Sequence, residues 1–86
     1  MNSFKLKIVD PESCVFSDDI LTLSVRGSEG DLAVMAGHIP FITGVKEGEC
    51  TVTLKDETVK NAHTKGGLLV VSNEDTTFLS DGFTFD

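Results

Sequence analysis

The sequence lacks tryptophan and tyrosine, and its seven Lys and Arg residues are outnumbered by fourteen Asp and Glu residues. Nucleic-acid-binding proteins neutralise phosphates with basic side chains and often stack bases on aromatic rings. A formal net charge of −7 instead repels phosphates and anionic lipid headgroups. We therefore expect no nucleic-acid partner. An acidic surface suits a basic or polar protein partner, although it can also serve solubility alone.

Long hydrophobic runs are missing as well. No apolar stretch approaches the roughly 20 residues that a membrane span needs. Residues 1–7 show neither the apolar core of a signal peptide nor the Arg- and Ser-rich pattern of an organelle leader. The sequence therefore predicts no direct membrane insertion, and a chain that stays in the compartment where it is made.

Cysteine is scarce, and familiar catalytic motifs are not found. Cys14 and Cys50 form no CxxC pair and have no histidine at metal-ligand spacing. Each lies in an alternating apolar pattern, so both are predicted to be small buried hydrophobic residues. The sequence has no GxSxG, no HExxH and no glycine loop ending in Lys-Ser or Lys-Thr. We expect no enzyme activity, and hence no catalytic residue, cofactor, metal or small-molecule ligand.

The dominant pattern is an alternation of apolar and polar residues. It occurs at Phe4, Leu6 and Ile8, at Leu21, Leu23 and Val25, and at Cys50, Val52 and Leu54. Successive side chains of a strand point to opposite faces, so each segment is a strand with one buried face. Turn residues follow at 10–12, 55–57 and 72–75. The continuously apolar run 68–71 predicts a central strand buried on both faces. The result is one all-β domain over residues 1–86, a β-sandwich or flattened barrel without substantial helix.

One segment, residues 27–40, has turn chemistry at both ends of a short apolar strand. Glu29 and Asp31 lie on either side of Gly30, so they can present two carboxylates from one loop tip. Near the other end, Pro40 holds the preceding residue extended after a tight turn at Gly37. These residues alone are compatible with two solubilising hairpin turns or with a contact surface.

The same segment resembles a known family. Gly-Ser-Glu-Gly-Asp-Leu at 27–32, Gly-His-Ile-Pro-Phe-Ile-Thr at 37–43 and Val-Lys-Glu-Gly at 45–48 are similar to the N-terminal β-sandwich of the ε subunit of F-type ATP synthases. Further similar stretches are 4–9, 15–17, 66–71 and 76–81, so the resemblance runs from Phe4 to Asp81. It implies a sandwich of ten short strands.

The resemblance also implies a function and its contact residues. The chain would be a non-catalytic rotor subunit of a proton-translocating ATP synthase, which clamps the γ subunit to the c-ring and helps transmit torque. The complex would lie on the cytoplasmic face of a bacterial membrane, with a plastid less expected. The implied c-ring contacts are Ser28, Glu29, Gly30 and Asp31, since a carboxylate pairs well with Arg. The implied γ contacts are His38, Val9 and Asp10, and Gly37 and Pro40 form the motif turn.

Two departures from the family pattern limit what is expected. Ala36 stands where the family usually has proline, and the family's C-terminal helical hairpin is absent, so its inhibitory role is not predicted. The alternation at Phe83 and Phe85 favours a naturally short chain over a truncated one. The alternative function is a free-standing β-sandwich module that binds a ligand or peptide, which predicts an exposed groove lined by aromatic residues.

Overall fold

The computed structural model describes residues 2–28, 30–37, 39–73 and 75–86. Within these ranges the chain forms nine β-strands and no helix, so no helix there could cross a membrane. The strands are β1 Phe4–Val9, β2 Cys14–Gly27, β3 Gly30–Met35, β4 Phe41–Val45, β5 Gly48–Leu54, β6 Val59–Thr64, β7 Gly67–Val71, β8 Asp75–Ser80 and β9 Phe83–Phe85. The prediction of an all-β domain is confirmed.

Strand β2 is the longest element and belongs to both layers of the sandwich. Its first half pairs with β1, and its second half pairs with β3 on one side and with β5 on the other. The register with β5 shifts between Ile20 and Thr22, and Ile20 and Leu21 are both buried there. A bulge of this kind increases local twist and bends a strand. The structure thus has nine strands where ten were expected, and counting the two halves of β2 separately gives ten.

The strand order places two sets of strands around a shared core. One layer contains β4, β7, β8, β1 and the first half of β2, whereas the other contains β3, the second half of β2, β5, β6 and β9. Neighbouring strands are antiparallel except β1 and β8, which are parallel. A single pair, Gly27 with Val45, joins the end of β2 in the second layer to β4 in the first layer, and so connects the two layers.

The core is built from the alternating positions that the sequence indicates. Phe4, Leu6 and Ile8 of β1 are buried, as is Phe78 of β8. Among the described residues, the buried apolar side chains are Phe4, Leu6, Ile8, Ile20, Leu21, Leu23, Val25, Val34, Val45, Cys50, Val52, Ala62, Leu69, Val71, Phe78 and Phe83. At about 25 cal/mol per Å² of apolar surface removed from water, this core is the main source of stability.

Two burial predictions are wrong. Strand β7 is central, lying between β4 and β8, but only Leu69 and Val71 are buried, whereas Leu68 is 42% exposed. One face of the 68–71 run therefore points outward. Cys50 is buried as predicted, but Cys14 is exposed, because it is the first residue of β2, after the turn that follows β1. At such a strand end, alternation does not ensure that a second layer covers the side chain.

A buried polar cluster holds two connections of the sandwich together. The hydroxyls of Thr64 and Ser80 lie 2.8 Å apart, and the backbone N–H of Gly66 donates to Thr64 Oγ1 at 3.0 Å. Ser80 Oγ also donates to the carbonyl oxygen of Gly82 at 2.8 Å. Because buried hydroxyls need partners, this cluster ties the β6–β7 connection to the β8–β9 connection. Gly67 must be glycine here, since a Cβ atom would lie 2.1 Å from the carbonyl oxygen of Leu79.

Candidate protein-binding surfaces

The predicted c-ring contact lies at the β2–β3 hairpin. Gly27 pairs with Gly30, so only two residues form the loop between them. Ser28 is exposed, and its backbone N–H donates to the carbonyl oxygen of Gly44 at 3.0 Å. Gly30 has φ of 134°, a conformation that side chains disfavour. Glu29 lies outside the described residues. The hairpin is therefore a short exposed tip anchored to β4.

Asp31 lies just inside β3 rather than in the loop itself. It is exposed and is directly opposite Arg26 of β2. A carboxylate in this position stays in contact with water and is available to a basic group from another chain. Asp31 thus presents an exposed carboxylate next to the tip, and its role as a c-ring contact remains a prediction.

The weaker predicted γ contact, Val9 with Asp10, forms the end of β1 and the following turn. Asp10 Oδ1 accepts hydrogen bonds from the backbone N–H groups of Glu12 at 2.9 Å and Ser13 at 2.8 Å. The Asp10 N–H donates to the Ser13 carbonyl oxygen at 2.9 Å. This carboxylate is therefore engaged in shaping its own turn. Val9 is half-buried and lies opposite Leu79 of β8.

The Gly37–Pro40 turn leads from β3 into β4. Gly37 has φ of 84° with no atom near a hypothetical Cβ, so its backbone conformation, not lack of space, favours glycine. Ile39 is 81% exposed and Pro40 is also exposed. His38, the principal predicted γ contact, lies outside the described residues. After the turn, β4 begins with Phe41 and Ile42.

An outward-facing apolar surface lies on the layer that contains β4, β7, β8 and β1. Residues that pair across strands share a face, and here Gly44, Leu68, Leu79 and Val9 form one row. Ile42 belongs to the adjacent row. Ile42 is 65% exposed, Leu68 42% and Leu79 46%. We call the surface formed by Val9, Ile42, Leu68, Val70 and Leu79 the outer apolar face.

Charge sets the outer apolar face apart from the rest of the molecule. The second row runs from Ile42 through Val70 and Thr77 to Lys7. Neither row contains a carboxylate, although the chain carries fourteen. Exposed apolar surface with few charges is typical of a protein-binding site. Sequence reasoning missed it because the run 68–71 was assigned to the core on both faces.

The outer apolar face includes or adjoins two segments predicted from the sequence, the Val9–Asp10 turn and the Gly37–Pro40 turn. Val9 lies in its first row, and Pro40 immediately precedes the strand that carries Ile42. A groove of about 440 Å³ continues the surface beside them. It is lined by Pro40, Phe41, Ile42, Val70, Val71, Ser72 and Asn73. The predicted c-ring tip adjoins the same surface, because Ser28 lies against Gly44 of the first row.

The alternative function predicted an exposed groove lined by aromatic residues. Phe41 is 37% exposed, and the other five phenylalanines, all of them among the described residues, are buried or half-buried. The rings of Phe16, Phe83 and Phe85 pack on one another instead, with centroids 5.7 Å apart for Phe16–Phe85 and 5.1 Å for Phe83–Phe85. The second hollow, of about 460 Å³, is lined by residues of β2, β3 and β5 and contains no aromatic side chain.

Two ionisable side chains among the described residues, Cys50 and Asp56, have clearly shifted pKa values. Burial, with a smaller contribution from the charge of Asp86, raises the pKa of the Cys50 thiol to about 11, so this thiol is unreactive at neutral pH. Hydrogen bonds from Thr58 lower the pKa of the exposed Asp56 carboxyl, which caps the β5–β6 turn. His63 and Glu47 form an exposed pair at 3.8 Å. The described residues contain no cluster of three or more potential metal ligands.

These features define a small β-sandwich domain whose most distinctive surface is apolar and nearly uncharged. The family model for the β-sandwich domain of the ATP synthase delta/epsilon chain matches residues 3–85. The chain therefore belongs to this family, as its sequence resemblance indicated. Membership also confirms that it is a non-catalytic subunit.

Comparison with individual proteins supports the assignment. The chain is 37% identical over 79 residues to the epsilon chain of a sodium-ion-specific ATP synthase from Acetobacterium woodii, which covers 92% of this chain and 59% of the relative. It thus spans less than two thirds of that relative's length.

Two solved structures share the fold. One comes from the Euglena gracilis mitochondrial ATP synthase (OSCP/F1/c-ring), with a TM-score of 0.90 and 15% identity over 96% of this chain and 53% of that one. The other comes from the central stalk and c-ring of the Tetrahymena thermophila enzyme, with a TM-score of 0.78 and 9% identity over 96% and 66%. At these identities the likeness shows the fold alone.

Proposed function

We propose that this chain is the β-sandwich of a rotor subunit in an F-type ATP synthase, where it clamps the γ subunit to the c-ring. The observation that carries the proposal is the outer apolar face, an uncharged exposed surface on an otherwise acidic domain. The family membership and the central-stalk structures that share the fold support the same conclusion. The chain makes and breaks no bond in this role.

The γ subunit would cover the outer apolar face. Fully burying an Ile side chain stabilises a complex by about 1.5–3 kcal/mol. Ile42 is 65% exposed in the free chain, so about 1–2 kcal/mol is available at this position alone. That energy corresponds to about a fivefold to thirtyfold difference in Kd. A close-packed sandwich fixed in this way would turn with γ as one body, because dense interiors transmit strain.

The c-ring would meet the β2–β3 tip. Ser28, Gly30 and Asp31 are exposed there, and Asp31 offers a carboxylate to a basic side chain. A charge-assisted contact of this kind gives orientation as well as affinity. The tip adjoins the outer apolar face at Gly44, so the two partners would meet the domain on neighbouring surfaces.

The coupling ion and the location of the complex are parts of the same proposal. The similar epsilon chain from Acetobacterium woodii belongs to a sodium-ion-specific enzyme, so the proton-translocating character expected from the sequence stays a prediction. A position on the cytoplasmic face of a bacterial membrane is proposed from the ε-subunit resemblance.

The γ contact is tested by comparing two substitutions of similar exposure. Ile42→Glu places a charge on the outer apolar face, whereas Val59→Glu places one at a 58% exposed position on β6, outside that face. Binding of each variant to the purified γ subunit is measured by calorimetry, with urea unfolding as the check on folding. We expect Ile42→Glu to raise Kd at least tenfold and Val59→Glu to leave it within about twofold.

Equal effects of the two substitutions would show that the outer apolar face is not the γ-binding site. No binding of the unaltered chain to γ at micromolar concentration and low salt would remove γ as a partner. Stabilisation of the chain by a small ligand without γ binding would favour the free-standing binding module instead.

A further inference from the structure

Strand β3 has one edge without a partner strand in the described structure. Its six residues, Gly30–Met35, pair with β2 in a continuous register without a bulge. No described strand pairs with its other side. A free edge exposes a row of backbone N–H and C=O groups, which is a template for another strand.

The direction of these backbone groups follows from a hydrogen bond on the far side of β2. The N–H of Lys46 donates to the carbonyl oxygen of Arg26 at 2.8 Å, so that carbonyl points away from β3. Arg26 is opposite Asp31, and this antiparallel pair therefore exchanges no hydrogen bonds. The N–H and C=O of Asp31 consequently point out of the sheet, and by alternation those of Ala33 and Met35 do too.

Other edges of the sandwich carry features that discourage pairing. Strand β4 follows Pro40 and is joined to β2 through Val45, and β9 is only three residues long. The first half of β2 carries Asp18 and Asp19. Short strands, charges and proline are common protective devices at sheet edges. Strand β3 has no proline and no bulge, and its one charged residue, Asp31, lies near its beginning, so that the rest of the edge carries no charge.

The edge is also positioned between the two surfaces assigned to partners. It begins at the β2–β3 tip and ends at Met35, which is 56% exposed. The chain then passes through Ile39, 81% exposed, into the strand that carries Ile42 on the outer apolar face. Only residues 36–41 separate the Met35 end of β3 from Ile42 on the outer apolar face. The proposed γ-binding surface is therefore adjacent along the chain to the end of the free edge.

Charge argues against a second copy of this chain as the added strand. Two copies would each carry a net charge of −7, and their mutual repulsion opposes association. The hollow beside the edge, about 460 Å³ in volume, is lined in part by Ala33, Asp31, Arg26 and Glu49. It has room for a side chain of an added strand.

We propose that the free edge of β3 pairs through its backbone with an extended segment of the γ subunit. The pairing would add main-chain hydrogen bonds to the apolar contact and set the angle between the two subunits. This inference rests on the proposed function, because it takes γ to be the partner.

Amide hydrogen exchange measured residue by residue tests the proposal directly. The amides of Asp31, Ala33 and Met35 are followed in the free chain and in its complex with purified γ subunit. We expect their exchange to slow at least tenfold in the complex. The amide of Phe85 in β9 is the matched control. The Asp86 N–H donates to the Asn61 carbonyl oxygen at 2.9 Å, so the next pair along, Phe85 with Ala62, exchanges no hydrogen bonds. The N–H of Phe85 therefore points out of the sheet at the edge of β9. Its exchange should stay unchanged.

A substitution supplies the second measurement. Ala33→Pro removes one outward N–H, which an edge strand tolerates. We expect γ binding to weaken about threefold to tenfold, the effect of one lost hydrogen bond. Urea unfolding shows whether this variant is folded. If it is not, the exchange measurement on the unaltered chain still decides the matter.

Each other outcome overturns the pairing. If γ binds but the three amides exchange as before, the edge proposal is wrong while the proposed function stands. If γ does not bind at all, both fail. Protection that grows with the concentration of the free chain would assign the edge to a second copy, and protection that appears only with the purified c-ring would assign it to the c-ring.

Discussion

Thr76 provides the sharpest test of the energetics of this fold. It lies on β8 between Leu6 of β1 and Val71 of β7, and its side chain is fully buried. Its hydroxyl oxygen has no hydrogen-bond partner among the described residues. Burying an unpaired hydroxyl costs about 1–3 kcal/mol relative to leaving it in water. Thr76 therefore lowers the stability of the sandwich.

Replacing Thr76 with valine should remove this cost. Valine has nearly the shape of threonine and carries a methyl group in place of the hydroxyl, so the substitution changes the polarity of this buried site far more than its volume. We predict that Thr76→Val raises the free energy of unfolding by about 1 kcal/mol. For a domain of this size that corresponds to an increase in Tm of about 4–8 °C.

Thr64→Val is the matched control, because Thr64 is equally buried but fully hydrogen-bonded. Its hydroxyl contacts Ser80 Oγ at 2.8 Å and accepts a bond from the Gly66 N–H at 3.0 Å. The same substitution there leaves buried partners unsatisfied, and we predict a loss of about 1–3 kcal/mol. The free energy of unfolding of both variants is measured by urea unfolding followed by circular dichroism. An unchanged m-value shows that each variant still unfolds in two states and exposes as much surface as the unaltered chain.

Opposite signs for the two substitutions are the essential result. A decrease in stability for Thr76→Val would show that its hydroxyl has a partner in solution, such as a buried water, and would refute the reasoning. Equal losses at both positions would show that the threonine-to-valine change disturbs packing more than it changes hydrogen bonding.

Two further predictions concern Cys50 and the β2–β3 tip. The Cys50 thiol has a reference pKa of 9.0 and a folded-state pKa of about 11, so its contribution to stability is complete below pH 9 and is lost as pH rises through about 11. The difference in unfolding free energy between the unaltered chain and Cys50→Ala should therefore shrink from pH 8 to pH 11, and a constant difference would contradict the assignment. At the tip, we predict that Asp31→Lys weakens assembly on the purified c-ring about tenfold at low salt, and less in high salt. Asp81→Lys, at an exposed position in the β8–β9 turn, should have little effect, and equal effects of the two would remove Asp31 from the interface.

The sequence by itself determined the class of fold and most of the core. Alternation at Phe4, Leu6 and Ile8 identifies the buried face of β1, because side-chain direction in a strand depends only on local geometry. Turns are equally local: the Asp10 carboxylate closes its turn through neighbouring N–H groups. The family was also identifiable from the motifs at 27–48, although that inference rests on resemblance.

Only the tertiary structure decided which faces are covered. Alternation shows that Leu68 and Val70 share a face, but not that this face lacks a second layer above it. That depends on pairing between strands distant in sequence, as when β1 lies beside β8. For the same reason the outer apolar face, the division of β2 between two layers and the free edge of β3 were not predicted. Local periodicity determines how the side chains of each strand alternate, whereas the order of the strands in the sheet determines which faces and edges remain exposed to a partner.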